Sequence, residues 1–239
     1  MQIAVVAIFI GRGWQHLRFG APYRAVLWDQ AWMSWWVENW LDWEWGAYAS
    51  SEVVDQNISL FTKSVGWFYL LCALVTATIQ WLPKFFRWLL VAGAFGLIVL
   101  AGLLLKERFF QLGQFLEYAL QCGTPIFLFV LLQRKSITSR LLFFMKVATA
   151  VTFVCHGLYA IGYYPRPGNF MEMVLNILPV NEAQAVQFLK WAGILDFVAA
   201  VALFFPRSIS MMAAIYMFFW GFMTTIARLW AYVDVTFLE

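Results

Sequence analysis

Charge is what this sequence has least of. Only 12% of its 239 residues are Asp, Glu, Lys or Arg, about half the share usual in soluble domains, so a soluble fold could not cover itself. Histidine occurs twice and cysteine three times. Cys72, Cys122 and Cys155 sit in separate apolar segments with no C-x-x-C spacing, which gives no sign of a dithiol mechanism and reads as small core residues. No G-x-x-x-x-G-K-[ST] loop is present, which argues against nucleotide-driven transport by this chain alone. No lysine lies in 208–230, so a retinal Schiff base is excluded there. The His, Glu and Asp residues have no characteristic metal spacing, and the two histidines differ in register, against paired haem ligation. No nucleic-acid signature occurs, and the net charge of +3 is explained by basic residues in loops. The N-terminus lacks a basic n-region and a small-residue cleavage site, so it reads as a retained helix.

Hydrophobic residues make up 63% of the chain. Runs such as SVGWFYLLCALVTATIQWL and WLLVAGAFGLIVLAGLLL approach the roughly 20 residues that cross a bilayer. The expected fold class is an all-α membrane protein, because hydrocarbon offers no partner for free backbone groups. Seven spans are expected, near 1–17, 64–82, 86–105, 113–132, 141–163, 186–205 and 208–230. Lys84, Arg87, Arg134, Lys135, Arg140 and Arg207 lie in the connections after spans two, four and six, with Lys146 able to snorkel to the same side. No acid lies in those connections. The positive-inside rule then places the N-terminus in the cytoplasm, and the long loops and C-terminus outside. The expected location is a bacterial inner membrane.

The first outer connection, 18–63, holds the run WDQAWMSWWVENWLDWEW. On a continuous helical wheel Trp28, Trp32, Trp35, Trp36, Trp40 and Trp43 share an arc of roughly 140°. Such a helix is expected to lie along the membrane interface, where an indole is half apolar and half wet. A sharper reading makes the stripe a docking surface for a larger membrane complex. Asp29 is placed to serve the helix N-terminus.

An internal duplication organises the chain. TFVCHGLYAIGYYPRPG aligns with IFIGRGWQHLRFGAPYR, which pairs Arg12-Gly13 with His156-Gly157, and WLPKFFRW aligns with FFPRSIS. The expectation is one polytopic domain, 1–239, built of parallel repeats at about 1–132 (including the loop 18–63) and 140–232. RLLFFMKVATAVTFVCHGLYAIG, GILDFVAAVALFFP and TTIARLWAY resemble DoxX-type membrane proteins, and the wider grouping that includes membrane domains of vitamin K-dependent carboxylase-like proteins. The resemblance covers roughly 140–232, recurs weakly in 1–105, and rests on Arg140, His156, Gly157, Gly193 and Arg228. Ala160 stands where that family often has Lys, and its usual unit has four helices. The resemblance implies a link to quinones, through quinone-linked sulfur oxidation and quinone-dependent carboxylation.

Ionisable side chains inside spans are expensive and mark function by default. Here they gather in the outer half: Arg12 and His16 in span one, Glu117 with Gln114, Gln121 and Thr124 on one face of span four, His156 in span five, Asp196 in span six, Thr224 and Arg228 in span seven. The inner half is almost purely apolar. Singly, Arg12 and Arg228 could snorkel, Glu117 could glue helices, Asp196 could be a structural acid and His156 a packing residue. Together they imply an outward-facing polar pocket. Arg12 or His156 could donate to a quinone carbonyl, and Glu117 or Asp196 could exchange protons. Three function classes follow: a quinone- or lipid-linked redox component, a non-catalytic accessory subunit, and a small-molecule carrier.

Overall fold

A computed structural model describes residues 1–231. The expected external C-terminus and Tyr232, the last residue of the TTIARLWAY stretch, lie outside the described residues. Among those residues the chain is helical, with no strand. Six helices are long and apolar enough to cross a membrane: Glu52–Ala77, Lys84–Glu107, Leu112–Arg134, Ser139–Ile161, Glu182–Ala202 and Arg207–Arg228. Between 17% and 39% of each apolar window is buried. So much exposed apolar surface would aggregate in water and is the lipid face of an integral membrane protein. The chain forms two compact units, Met1–Leu141 and one beginning at Leu142.

In the first unit α1 (Gln2–Arg18) packs along α5 (Glu52–Ala77). At 17 residues, with Arg12 and His16 towards its C-terminal end, α1 falls short of the usual spanning length. The two helices approach closely because both are glycine at the crossing. A Cβ on Gly13 would meet Leu70 Cδ2 at 2.7 Å, and one on Gly66 would meet Leu17 Cγ at 2.9 Å. Behind the crossing Val5, Phe9, Tyr69, Cys72, Leu90, Leu97 and Leu128 form the core, with α6 (Trp88–Glu107) and α8 (Ala119–Arg134). A short segment, α7 (Leu112–Leu116), leads into α8. Pro125 inside α8 removes the amide that would bond the Gln121 carbonyl.

The connection before α5 differs from the expected single Trp helix. The chain makes α2 (Arg24–Leu27), α3 (Gln30–Trp40) and α4 (Trp45–Ala49). Trp28 caps the end of α2, and Trp43 follows the break at Leu41–Asp42, where Asp42 has φ 50°. The continuous wheel therefore holds only for Trp32, Trp35, Trp36 and Trp40. Asp29 does start the helix, accepting from the Trp32 amide. Its side chain also pairs with Lys106 of α6, which lies over the Trp32 ring. Helix α5 begins at Glu52, about three turns before the apolar run, because Ser51 caps it and Glu52 and Asp55 suit a helix start. Its N-terminal extension is held by the Arg24–Asp55 ion pair at 2.6 Å. The connection is thus shorter than 18–63.

The second unit contains α9 (Ser139–Ile161), α10 (Gly168–Ile177), α11 (Glu182–Ala202) and α12 (Arg207–Ala231). Helix α9 ends at Gly162, whose φ of +88° suits only glycine. Arg166 folds back onto the Ala160 and Ile161 carbonyls at 3.0 and 2.8 Å. The expected loop 164–185 contains α10, whose apolar side packs against α11 and α12. Asn181 starts α11 with a reciprocal capping box to Gln184. Lys146 does more than snorkel: it donates to the Leu203 carbonyl and Ser210 Oγ, both at 2.8 Å, closing the end of α11.

Candidate functional site

Helices α9 and α11 touch at Gly157 and Gly193. A Cβ on Gly193 would lie 2.8 Å from the Gly157 carbonyl oxygen, and one on Gly157 would lie 3.0 Å from that of Gly193. This backbone contact brings His156 and Asp196 together, each within a turn of its glycine. His156 Nδ1 meets Asp196 Oδ2 at 3.1 Å. Asp196 is fully buried while the His156 side chain is 28% exposed. A carboxylate accepting from Nδ1 places the proton there and leaves Nε2 as the basic ring nitrogen.

His156 borders a cavity of about 170 Å³. Helix α10 supplies Phe170, Met173, Val174 and Ile177; α11 supplies Phe188, Leu189 and Ala192; α12 supplies Trp220, Met223, Thr224 and Ala227. Phe170 packs on His156 with ring centroids 4.9 Å apart. Among the described residues no Lys or Arg lines the cavity. Near it, Asp196 Oδ1, Tyr216 Oη and Trp220 Nε1 are buried without a hydrogen-bond partner. Leaving such an atom unpaired costs about 1–3 kcal/mol. Trp220 alone of the three residues lines the cavity, and the three atoms lie buried behind its apolar wall.

The first unit holds a different polar cluster. Arg12 donates to Gln121 Oε1 from Nη2 at 2.6 Å and from Nε at 3.1 Å, and to Gln15 Oε1 at 2.5 Å. Its guanidinium lies 4.8 Å from the Tyr118 ring centroid. His16 is buried, with Nδ1 2.7 Å from the Arg12 carbonyl and Nε2 3.2 Å from Tyr23 Oη. The carbonyl only accepts, so Nδ1 carries the proton and Nε2 accepts from Tyr23. Burial pushes the Tyr23 phenol up to about 12, which keeps it a donor at neutral pH. These partners are what an expensive intramembrane Arg requires.

The structure therefore joins Arg12, His16 and Gln121 directly, and separately joins His156 with Asp196 beside Thr224. Gln114 and Glu117 are half-buried where α7 meets α8. Thr124 turns inward to the Leu120 carbonyl at 2.5 Å. Arg228 is exposed, just past the wall residue Ala227. All six tryptophans of the stripe are exposed, from 38% for Trp28 and Trp43 to 72% for Trp40. Sequence reasoning missed Phe170, Tyr216 and Trp220. Their signals were present: an apolar 170/174/177 spacing after Pro167, and Tyr216, Trp220 and Thr224 at four-residue steps. The chain matches no family model, no curated protein and no solved structure.

Proposed function

We propose that this chain is a DoxX-like membrane protein that binds an apolar small molecule of the quinone or lipid class and serves as a redox-linked component. The observation carrying this reading is the cavity under α10, apolar on nearly all sides yet bordered by a histidine held by a buried aspartate. A quinone ring and its tail suit Phe170, Phe188 and the aliphatic wall. Reduction takes two electrons and two protons; His156 with Asp196 is the pair for proton exchange, and a redox partner delivers the electrons.

The finer architecture belongs to the same proposal. Helix α1 is a seventh span, and the two units are parallel repeats of a helix pair crossing at glycines, Gly13 with Gly66 and Gly157 with Gly193. The unit boundary at Leu141–Leu142 supports this division. In each unit the residue before the first glycine, Arg12 or His156, carries the chemistry. The N-terminus lies inside, and α3 rests on the outer interface of a bacterial inner membrane.

Mild-detergent purification with mass spectrometry of bound molecules and bound chains tests the function. The redox reading expects a quinone or related prenyl lipid near one per chain. A second reading, an accessory subunit, is favoured by the exposed indoles of Trp32, Trp35, Trp36 and Trp40. Stoichiometric partner chains without any small molecule would support that reading over the first. Transport of a solute by the isolated chain in liposomes would support the carrier class.

A further inference from the structure

Two helix ends that carry cations meet in the first unit. The 3₁₀ turn Lys84–Arg87 leads into α6. Arg87 Nη1 donates to the Leu132 carbonyl at 3.0 Å, which ties the start of α6 to the end of α8. Arg134 is the last residue of α8, and Lys135 closes that helix at φ 56°. Glycine usually ends a helix in this conformation, so a lysine stands there against backbone strain. Lys84, Arg87, Arg134 and Lys135 therefore lie within about one helical turn of a single hydrogen bond. No Asp or Glu occurs between Asp55 and Glu107, or between Glu117 and Glu172. Among the described residues none of the four cations is in an ion pair, and Arg87 Nε is buried without an acceptor. On the same connection Trp81, Phe85 and Trp88 are 81%, 66% and 62% exposed.

We propose that this end of the first unit binds the phosphate headgroup of an anionic phospholipid. The four cations need negative charge that the chain does not supply. Lys84, Arg134 and Lys135 are exposed and can reach a phosphate, while Arg87 is half-buried and fixes the two helix ends beside them. Free phosphate would answer the charge but leave Trp81, Phe85 and Trp88 bare. A lipid answers both, with its headgroup among the cations and its tails along the aromatic side chains. Sorting of basic residues across a membrane asks only for their presence in a connection. It does not ask for joined helix ends or for a left-handed lysine. The inference concerns the first unit alone and does not depend on the cavity beside His156.

The test places the whole chain in phosphatidylcholine nanodiscs doped with phosphatidylglycerol and identifies the retained lipids by native mass spectrometry. Phosphatidylglycerol should be enriched at least about tenfold over its share of the bilayer. Lys84→Gln and Lys135→Gln spare the hydrogen bond of Arg87 to Leu132, and each should lower the enrichment by about fivefold. Lys63→Gln combined with Arg108→Gln removes two charges outside the cluster, Arg108 lying just past the far end of α6, and should leave the enrichment unchanged. An equal fall in that control, or no preference over phosphatidylcholine, overturns the inference. Displacement of the lipid by glycerol 3-phosphate identifies a site for free phosphate and overturns the lipid assignment. Where a variant fails to fold, phosphatidylglycerol with a diazirine in its headgroup decides on the wild-type chain. Labelling within 84–88 or 132–136 supports the inference, and labelling confined to other segments overturns it.

Discussion

Asp196 is fully buried in an apolar helix pair and spends one oxygen on His156. Asp196→Asn keeps a hydrogen-bond partner but removes the charge. Thermal melting should change little, whereas the proposed quinone-linked turnover should fall by about 10²–10⁴, the usual contribution of a positioned acid or base. Equal loss of melting temperature and turnover would make the residue purely structural. Asp29, at the start of α3, offers a contrasting case. Its hydrogen bond to Lys106 holds the carboxyl below its ordinary value. The stabilisation is therefore complete above about pH 4 and is lost as pH falls through the depressed folded value. Hydrogen exchange over 30–40 should quicken in that acid range in the wild type. Asp29→Asn should show the faster exchange at neutral pH and little further change on acidification. The roles of Asp29 as helix start and of Arg12 as a costly charge were legible from residue type and position. Their partners were not, because Lys106 and Gln121 are 77 and 109 residues away and no local pattern encodes such a meeting.

At the scale of elements, glycine decides how closely two helices approach, and close approach decides which polar groups meet. Gly193→Val should push α11 off α9, since its Cβ would already lie 2.7 Å from Ile161 Cγ2. Expected results are a melting temperature lowered by several degrees and loss of ligand binding, with α-helical content retained. Lys146→Met leaves the end of α11 without its donor and should cost about 1–3 kcal/mol, read by chemical denaturation in detergent. The helices themselves were legible because long apolar runs have one solution in a bilayer. Short pieces were not. The Trp wheel assumed a continuous helix, but Leu41–Asp42 breaks it at a residue with positive φ. Helix α10 was hidden because its apolar face, a few residues wide, is too short to register as a span. Its job is to wall a cavity and not to cross the membrane.

At the scale of the whole molecule, basic residues fall in alternate connections along the sequence, and on the proposed topology these share one side. Single cysteines at Asp42 and Lys63 should react with an impermeant maleimide from outside intact cells. Cysteines at Lys135 and Arg207 should react only after permeabilisation; the reverse pattern would invert the orientation. That the ionisable groups lie towards one end of their helices is an expectation from sequence, because hydrocarbon penalises each of them. Their grouping into Arg12–His16–Gln121 and His156–Asp196 needed coordinates. The central claim is that the cavity beside His156 holds a ligand. Ala192 lines it and is nearly buried, so Ala192→Phe fills the space from one wall. Mass spectrometry of small molecules retained by this variant, against the wild type at matched helical content, is the most direct measurement. The account predicts that the co-purified ligand drops to about a tenth or less, and undiminished ligand in a folded Ala192→Phe chain would contradict it.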